Sequence, residues 1–216
     1  MKSKLFEFNP LAVNTYVLSD ETGECVVIDP ACYYPDEKAL LLNYIIDNDL
    51  VVKHLLNTHL HFDHIFGNNF IASQFGISAE AHPDDLFLLE SLPEQLRAFG
   101  FDDASINIPT IGTFLYHGDS IKFGNQILRV FHVPGHSPGS LVFYHEPSGS
   151  VYGGDVLFNG SIGRTDLEGG NYETLVDGIR NIMFSFPNET IVYPGHGPFT
   201  TIANEKKYNP FVGMKS

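Results

Sequence analysis

The stretch Thr58-His59-Leu60-His61-Phe62-Asp63-His64 puts four groups able to bind a metal into six consecutive residues, His59 to His64. It follows the β-rich run Val51–Asn57. In extended chain, residues two apart point the same way, so His59 and His61 can reach one ion. Asp63 and His64 come as the chain turns toward a helix, and they can serve a second ion nearby. Imidazole and carboxylate suit zinc, iron or manganese, and little sulfur is present to suggest copper.

Working outward, three more donors occur in matching contexts. His136 lies in Pro134-Gly135-His136-Ser137-Pro138-Gly139, Asp155 follows Gly153-Gly154, and His196 lies in Pro194-Gly195-His196-Gly197. Each comes at the end of a predicted strand. Glycine permits the tight turns that aim a strand-end side chain into a shared site. A chance run of surface histidines would not repeat in this way. The residues alone therefore reach a two-metal hydrolytic site.

The remaining chain reads as alternating strands and helices. Asn14–Leu18 and Cys25–Asp29 are predicted strands, and Asp36–Asn48 carries apolar residues at amphipathic-helix spacing. Short helices are expected over Ile65–Phe75, closed by Gly76, and over Pro83–Glu90. In the second half, Ser120–Phe123 and Gln126–His132 flank Gly124-Asn125, a hairpin signal. Leu141–Tyr144 and Ser150–Tyr152 flank a Pro-Ser-Gly turn. A helix over Tyr172–Phe184 precedes a last strand at Thr190–Tyr193. Two strand-rich halves with attached helices predict two packed sheets with helices outside, in an α/β chain.

The chain has 216 residues, 43% of them hydrophobic and 18% charged, enough to bury a core in one domain spanning 1–216. Met1–Pro10 interrupts its apolar residues with Glu7 and Asn9, and no segment approaches the roughly 20 apolar residues of a membrane span. The cytoplasm is the expected compartment, with no membrane partner. A formal charge of −14 disfavours nucleic acid, whose phosphates need a basic face. Cys25 and Cys32 lack CxxC spacing and read as buried thiols. His54, His82, His117, His132 and His145 match no ligand position, and Thr58 is expected to orient its loop.

Taken together, HxHxDH, PGHSPGS, GGD and PGHG resemble the metallo-β-lactamase superfamily, across nearly the whole chain from Asn14-Thr15-Tyr16 to Asn209-Pro210-Phe211. The resemblance implies a four-layer αβ/βα sandwich of two mixed β-sheets with outer helices. It implies that His59, His61 and His136 hold a first metal, Asp63, His64 and His196 a second, and that Asp155 bridges both. Two zinc ions are the implied cofactors, with iron or manganese as substitutes. His59, His61, Asp63 and Asp155 would then be catalytic, because a water bridging the two cations has its pKa lowered from about 16 toward about 7. Asp63 is placed to accept or orient a proton. Asp29, in Ile28-Asp29-Pro30, resembles a position that supports the site from behind; a capped strand end before a proline turn is an equal alternative.

The run Gly160-Ser161-Ile162-Gly163-Arg164-Thr165-Asp166-Leu167-Glu168-Gly169-Gly170 and the tail Glu205–Phe211 resemble the glyoxalase II group (hydroxyacylglutathione hydrolases), in its short bacterial form. That implies a small-molecule thioester substrate such as S-lactoylglutathione. Arg164 matches a cationic substrate-binding position, or else forms a loop-ordering salt bridge with Asp166 or Glu168. Only twenty residues follow His196, whereas the full-length enzymes carry a helical extension that helps to bind glutathione. A mononuclear-iron persulfide dioxygenase shares the Gly-Arg-Thr-Asp loop and residues matching His59, His136 and Asp155. A lactonase is a further alternative. An aspartate in the bridging position is unlike the zinc β-lactamases.

Overall fold

The computed structural model describes residues 1–101 and 106–213. They form two compact units, the first made of residues 1–115 and 122–126, the second of residues 116–121 and 127 onward.

In the first unit, β1 (Lys2–Phe8), β2 (Val13–Ser19), β3 (Glu24–Ile28), β4 (Val51–Leu56), β5 (Ala79–Ala81) and β6 (Ile111–Phe114) form a sheet in that order. The first two pairings are antiparallel; β3–β4, β4–β5 and β5–β6 are parallel. Parallel neighbours need a crossover, and α1 (Pro35–Asp47) and α2 (Asn68–Phe75) supply two of them. Leu41 and Ile45 of α1 and Ile71 of α2 pack on Val17, Val27, Val52 and Leu55 of the sheet. Every residue of β2 is buried, so this strand is covered on both faces.

The helix expected from Ile65 begins only at Asn68, because residues 62–64 make a 3₁₀ turn first. It ends at Gly76, whose φ of 66° is the left-handed conformation that closes a helix. The helix expected over Pro83–Glu90 is a 3₁₀ turn running into α3 (Leu86–Glu90), and α4 (Leu92–Ala98) follows unannounced. Leu88, Leu89, Leu92 and Leu96 gather around Leu60, Phe62 and Phe66 in a satellite core beneath the histidine cluster.

The second sheet contains β7 (Ser120–Phe123), β8 (Gln126–His132), β9 (Leu141–His145), β10 (Ser150–Gly154), β13 (Ile191–Pro194) and β14 (Thr200–Thr201), in the order β14-β13-β10-β9-β8-β7. Its pairings are antiparallel for β8–β9, β9–β10 and β13–β14, and parallel for β10–β13. The short strands β11 (Leu157–Phe158) and β12 (Ser161–Ile162) form a separate ribbon. Helix α5 (Tyr172–Asn181) is capped by the Asn171 side chain. It buries Leu175, Val176 and Ile179 with Ile202 of α6 (Ile202–Tyr208) among Val142, Val151 and Val192. Each such fully buried aliphatic side chain contributes about 1.5–3 kcal/mol.

Hairpin turns in the first unit are clasped by Asp20, just after β2. Its Oδ1 accepts from the Thr22 N–H and hydroxyl at 2.9 and 2.6 Å. Its Oδ2 accepts from the Asn125 N–H and the Gln126 amide at 2.7 and 3.2 Å. Gly124 has φ 52°, and a Cβ there would lie 2.4 Å from Asp20 Oδ1, so only glycine fits this corner. Among the described residues, no helix is long and apolar enough to cross a membrane.

Candidate metal centre

The donors of the first unit sit at the carboxyl ends of the parallel strands β3 and β4. Asp29 follows β3 with φ 47°, an unusual conformation for a residue with a side chain. Its carboxylate accepts from the Thr58 N–H at 2.7 Å, from the Thr58 hydroxyl at 2.6 Å and from His64 Nδ1 at 3.1 Å. Thr58 Oγ1 in turn meets His59 Nδ1 at 3.0 Å. Since its hydroxyl proton goes to Asp29, Thr58 accepts from His59. One buried carboxylate thus orients both histidines, one directly and one through a threonine, and the strand-end-cap reading of Asp29 gives way to a supporting role.

The extended chain behaves as the alternation predicts. Leu60 turns into the satellite core, while the His59 and His61 rings lie together, 4.8 Å apart between centroids. The Leu60 N–H donates to the fully buried Asp85 carboxylate at 3.1 Å, which pins the segment between the two histidines. The 3₁₀ turn then brings Asp63 Oδ2 to 3.7 Å from His64 Nε2. Asn9, at φ 56°, holds this turn by donating to the Asp63 and Ala31 carbonyls at 3.1 and 3.0 Å. Asn9 and Asp85 are site-supporting residues that the sequence reading missed. Asn9 carries only an Asn-Pro turn signal, and Asp85 sits in an ordinary helix-start pattern.

In the second unit, the parallel pairing of β10 and β13 sets Asp155 and His196 side by side. Asp155 Oδ2 lies 3.5 Å from His196 Nε2 and 3.6 Å from His136 Nε2. His136 Nδ1 meets the Arg164 carbonyl at 2.8 Å; a carbonyl only accepts, so Nδ1 carries the proton. The turn before His136 needs Gly135, whose φ is 130° and where a Cβ would lie 2.4 Å from the Leu175 nitrogen. Gly163 is equally confined: a Cβ there would press on the Asp155 carbonyl at 1.9 Å and on the His136 Cβ at 3.1 Å.

Two features fit these donors to transition-metal ions. His59, His64 and His136 each engage Nδ1 with an oxygen, which is how metal-binding imidazoles are held so that Nε2 presents its lone pair. The carboxylate–imidazole separations of 3.5–3.7 Å exceed a hydrogen bond. They are close to the roughly 3.4 Å edge of a tetrahedron whose corners lie about 2.0–2.1 Å from a metal.

Arg164 makes a two-pronged contact with Asp166, Nε to Oδ1 and Nη2 to Oδ2, both at 2.8 Å. The paired hydrogen bonds raise the guanidinium pKa and lower the Asp166 carboxyl to about 2. The remaining histidines have structural partners. His54 Nδ1 pairs with Glu80 at 2.6 Å, which raises its pKa, and His132 Nε2 meets the Pro138 carbonyl at 2.7 Å. His82 Nδ1 accepts from the Asp84 N–H, His117 Nδ1 from the His132 N–H, and His145 pairs with Ser148. Cys25 and Cys32 are buried free thiols.

Comparison with known proteins agrees with this geometry. The sequence profile of the Metallo-beta-lactamase superfamily matches residues 8–196. Hydroxyacylglutathione hydrolase GloC of Haemophilus influenzae is 36% identical over 204 residues, 94% of either chain. Among solved structures, TTHA1623 in a di-iron-bound form is 36% identical, with a TM-score of 0.83 over 96% of this chain and 99% of its own. The B3 metallo-beta-lactamase BLEG-1 is 32% identical, with a TM-score of 0.80 over 98% of this chain and 99% of its own. The chain belongs to the metallo-β-lactamase superfamily and is a metal-binding hydrolase of that fold.

Proposed function

We propose that the protein is a glyoxalase II-like thioesterase that hydrolyses S-lactoylglutathione or a related hydroxyacyl thioester. His59, His61 and His136 would hold one ion and Asp63, His64 and His196 a second, with Asp155 serving both. The observation that carries the metal reading is the set of 3.5–3.7 Å carboxylate–imidazole separations around Asp63 and Asp155. The thioester reading is supported by the 36% identity to GloC, which extends over 94% of that protein, so a chain of this length carries that name. The family profile runs through both compact units, which supports reading residues 1–216 as one domain.

When bound, two zinc ions, or iron in their place as in the di-iron relative, would supply Lewis-acid activation of water and of the substrate carbonyl. The chain's own residues do the rest. Asp29 and Thr58 fix the His59 and His64 rings; Asp63 receives or directs a proton through its carboxylate. Arg164, whose Nε and Nη2 are paired with Asp166, is the residue proposed to meet a carboxylate or carbonyl of the substrate. A thioester suits this equipment, since its carbonyl is electrophilic and thiolate leaves without strong acid assistance. The cytoplasm remains the proposed compartment, consistent with two unpaired thiols. With a charge of −14, nucleic acid is not the proposed partner.

The test couples metal content to turnover. Two ions per chain, with S-lactoylglutathione cleavage that His59→Ala abolishes, is the expected result. One iron per chain, oxygen uptake with glutathione persulfide and no thioester cleavage would replace this reading with the dioxygenase. Cleavage of a chromogenic β-lactam alone would move the protein to the lactamases.

A further inference from the structure

The tail Glu205–Phe211 supplies no donor to the site described above, yet it contains a buried carboxylate with an unusual set of partners. Glu205, in α6, has no exposed surface. Its Oε1 accepts from the Thr200 hydroxyl at 2.6 Å and the Asn204 amide at 2.7 Å. Its Oε2 accepts from the Gly160 N–H at 3.0 Å and the Asn209 amide at 2.7 Å. Burying a bare carboxylate is costly, and four converging donors are what make it tolerable.

The two oxygens do different jobs. Thr200 and Asn204 lie within five residues of Glu205, so their bonds stay local to the start of α6, whose cap is the Thr201 side chain. Gly160 lies 45 positions away. Asn209 reinforces that second grip, because its amide also donates to the Ser161 carbonyl at 3.0 Å. Its own Oδ1 is fixed by the Phe211 and Val212 N–H groups at 3.0 and 3.3 Å. The gripped loop continues through the β11–β12 ribbon to Gly163, whose N–H donates to the Val156 carbonyl. It ends at the Arg164 carbonyl that fixes His136 Nδ1.

We infer that Glu205 is a positioning residue: through Gly160 and Asn209 it holds the 160–164 loop in the register that orients His136 and presents Arg164. The inference rests on the reading of His136 as a metal ligand.

The experiment compares Glu205→Ala, Glu205→Gln and Thr200→Ala with the unaltered protein. Hydrogen exchange is measured over residues 156–166, zinc affinity by chelator competition, and kcat and KM with S-lactoylglutathione. E205A is expected to exchange faster in the loop and to bind zinc about 10–100-fold more weakly, as loss of an outer partner does, with kcat falling more than KM rises. E205Q is expected to restore all three, because its amide oxygen can face Gly160 and Asn209. Its NH₂ then faces Thr200, whose hydroxyl can turn to accept, and Asn204, whose amide can flip. T200A is expected to lower the Tm but leave loop exchange and zinc affinity unchanged. E205A with normal loop exchange and affinity, or T200A reproducing its losses, would overturn the inference. Should E205A not fold, Asn209→Asp reads the same link, since it removes the donor to Ser161 and repels Glu205; normal loop exchange and affinity there overturn it equally. An unaltered protein that takes up no zinc would overturn the ligand assignment and this inference with it. Uptake unchanged in E205A overturns this inference alone.

Discussion

His136 and Arg164, 28 positions apart, are joined by a hydrogen bond of 2.8 Å from the imidazole Nδ1 to the main-chain carbonyl oxygen. The residue that the sequence marks for its charge therefore also acts through its backbone. An arginine substitution that leaves the loop in place tests only the guanidinium, and the carbonyl must be moved by other means.

Gly163→Ala moves it. The added Cβ would sit 1.9 Å from the Asp155 carbonyl, so the loop must shift and draw the Arg164 carbonyl away from His136. Metal affinity and kcat are expected to fall by about 10–100-fold, the usual effect of losing an outer partner. Chelator competition and steady-state kinetics check this, and an unchanged affinity would show that the loop does not orient His136.

Asp29→Asn separates the carboxylate from its backbone role. Asparagine tolerates the φ of 47°, but its amide has one acceptor oxygen where three donors converge. Leaving a buried donor unsatisfied costs about 1–3 kcal/mol, which urea unfolding of the metal-free protein would detect. Metal affinity is expected to fall as well, whereas Asp47→Asn on the exposed end of α1 should change neither.

Asp20 predicts an acid limb of stability. Burial pushes its carboxyl pKa up, but hydrogen bonds from the Thr22 hydroxyl, the Asn125 and Thr22 N–H groups and Gln126 outweigh burial and hold it far below the usual carboxylate range. A folded-state pKa below the unfolded value of about 3.9 means that the unfolded chain binds the extra proton, so stability is lost as pH falls. The contribution is complete above that value and disappears on the way down to the folded pKa. The unaltered protein should exceed Asp20→Asn in urea stability by about 1–3 kcal/mol at neutral pH. The gap is expected to narrow steadily below about pH 4. A gap that stays constant with pH would mean that the charge is not what the clasp uses.

Burial pushes the Cys25 and Cys32 thiols up to about 12. Thiolate is the reactive form. Ellman's reagent at mildly alkaline pH should therefore find almost no reactive thiol in the folded protein and both in denaturant. Rapid native labelling of either would contradict the packing around β3.

Much of the site was legible because its donors cluster or sit in glycine-rich turns. The run from His59 to His64 declares itself in one line of sequence, and the Pro-Gly-His turns around His136 and His196 mark strand ends. The strands from Ser120 to Phe123 and from Gln126 to His132 match the sequence reading to the residue, and the Gly-Asn turn between them fixes the end of the first and the start of the second. Elements whose reason lies elsewhere in the chain were not legible. Strand β1 has only Phe6 and Phe8 inward, and Lys2–Phe8 becomes a strand because β2 offers it an edge. Helix α4 contains Pro93 near its start and is held by Leu92 and Leu96 in the satellite core. Asn9, Asp85 and Glu205 act by reaching backbone groups 54, 25 and 45 positions away, and no local pattern records such a partner.

The parallel pairs β3–β4 and β10–β13 carry donors at their carboxyl ends, and this constrains when the protein can first capture its metal. Parallel neighbours cannot zip from a tight turn; each pair closes only after an intervening crossover has been organised, and such distant pairings form slowly. The local run from His59 to His64 exists in any extended chain, but Asp29 reaches Thr58 only once β3 and β4 are aligned, and Asp155 reaches His196 only once β10 and β13 are. Tight metal uptake is therefore a late step of folding, and its rate after dilution from denaturant reports completion of the two parallel pairs.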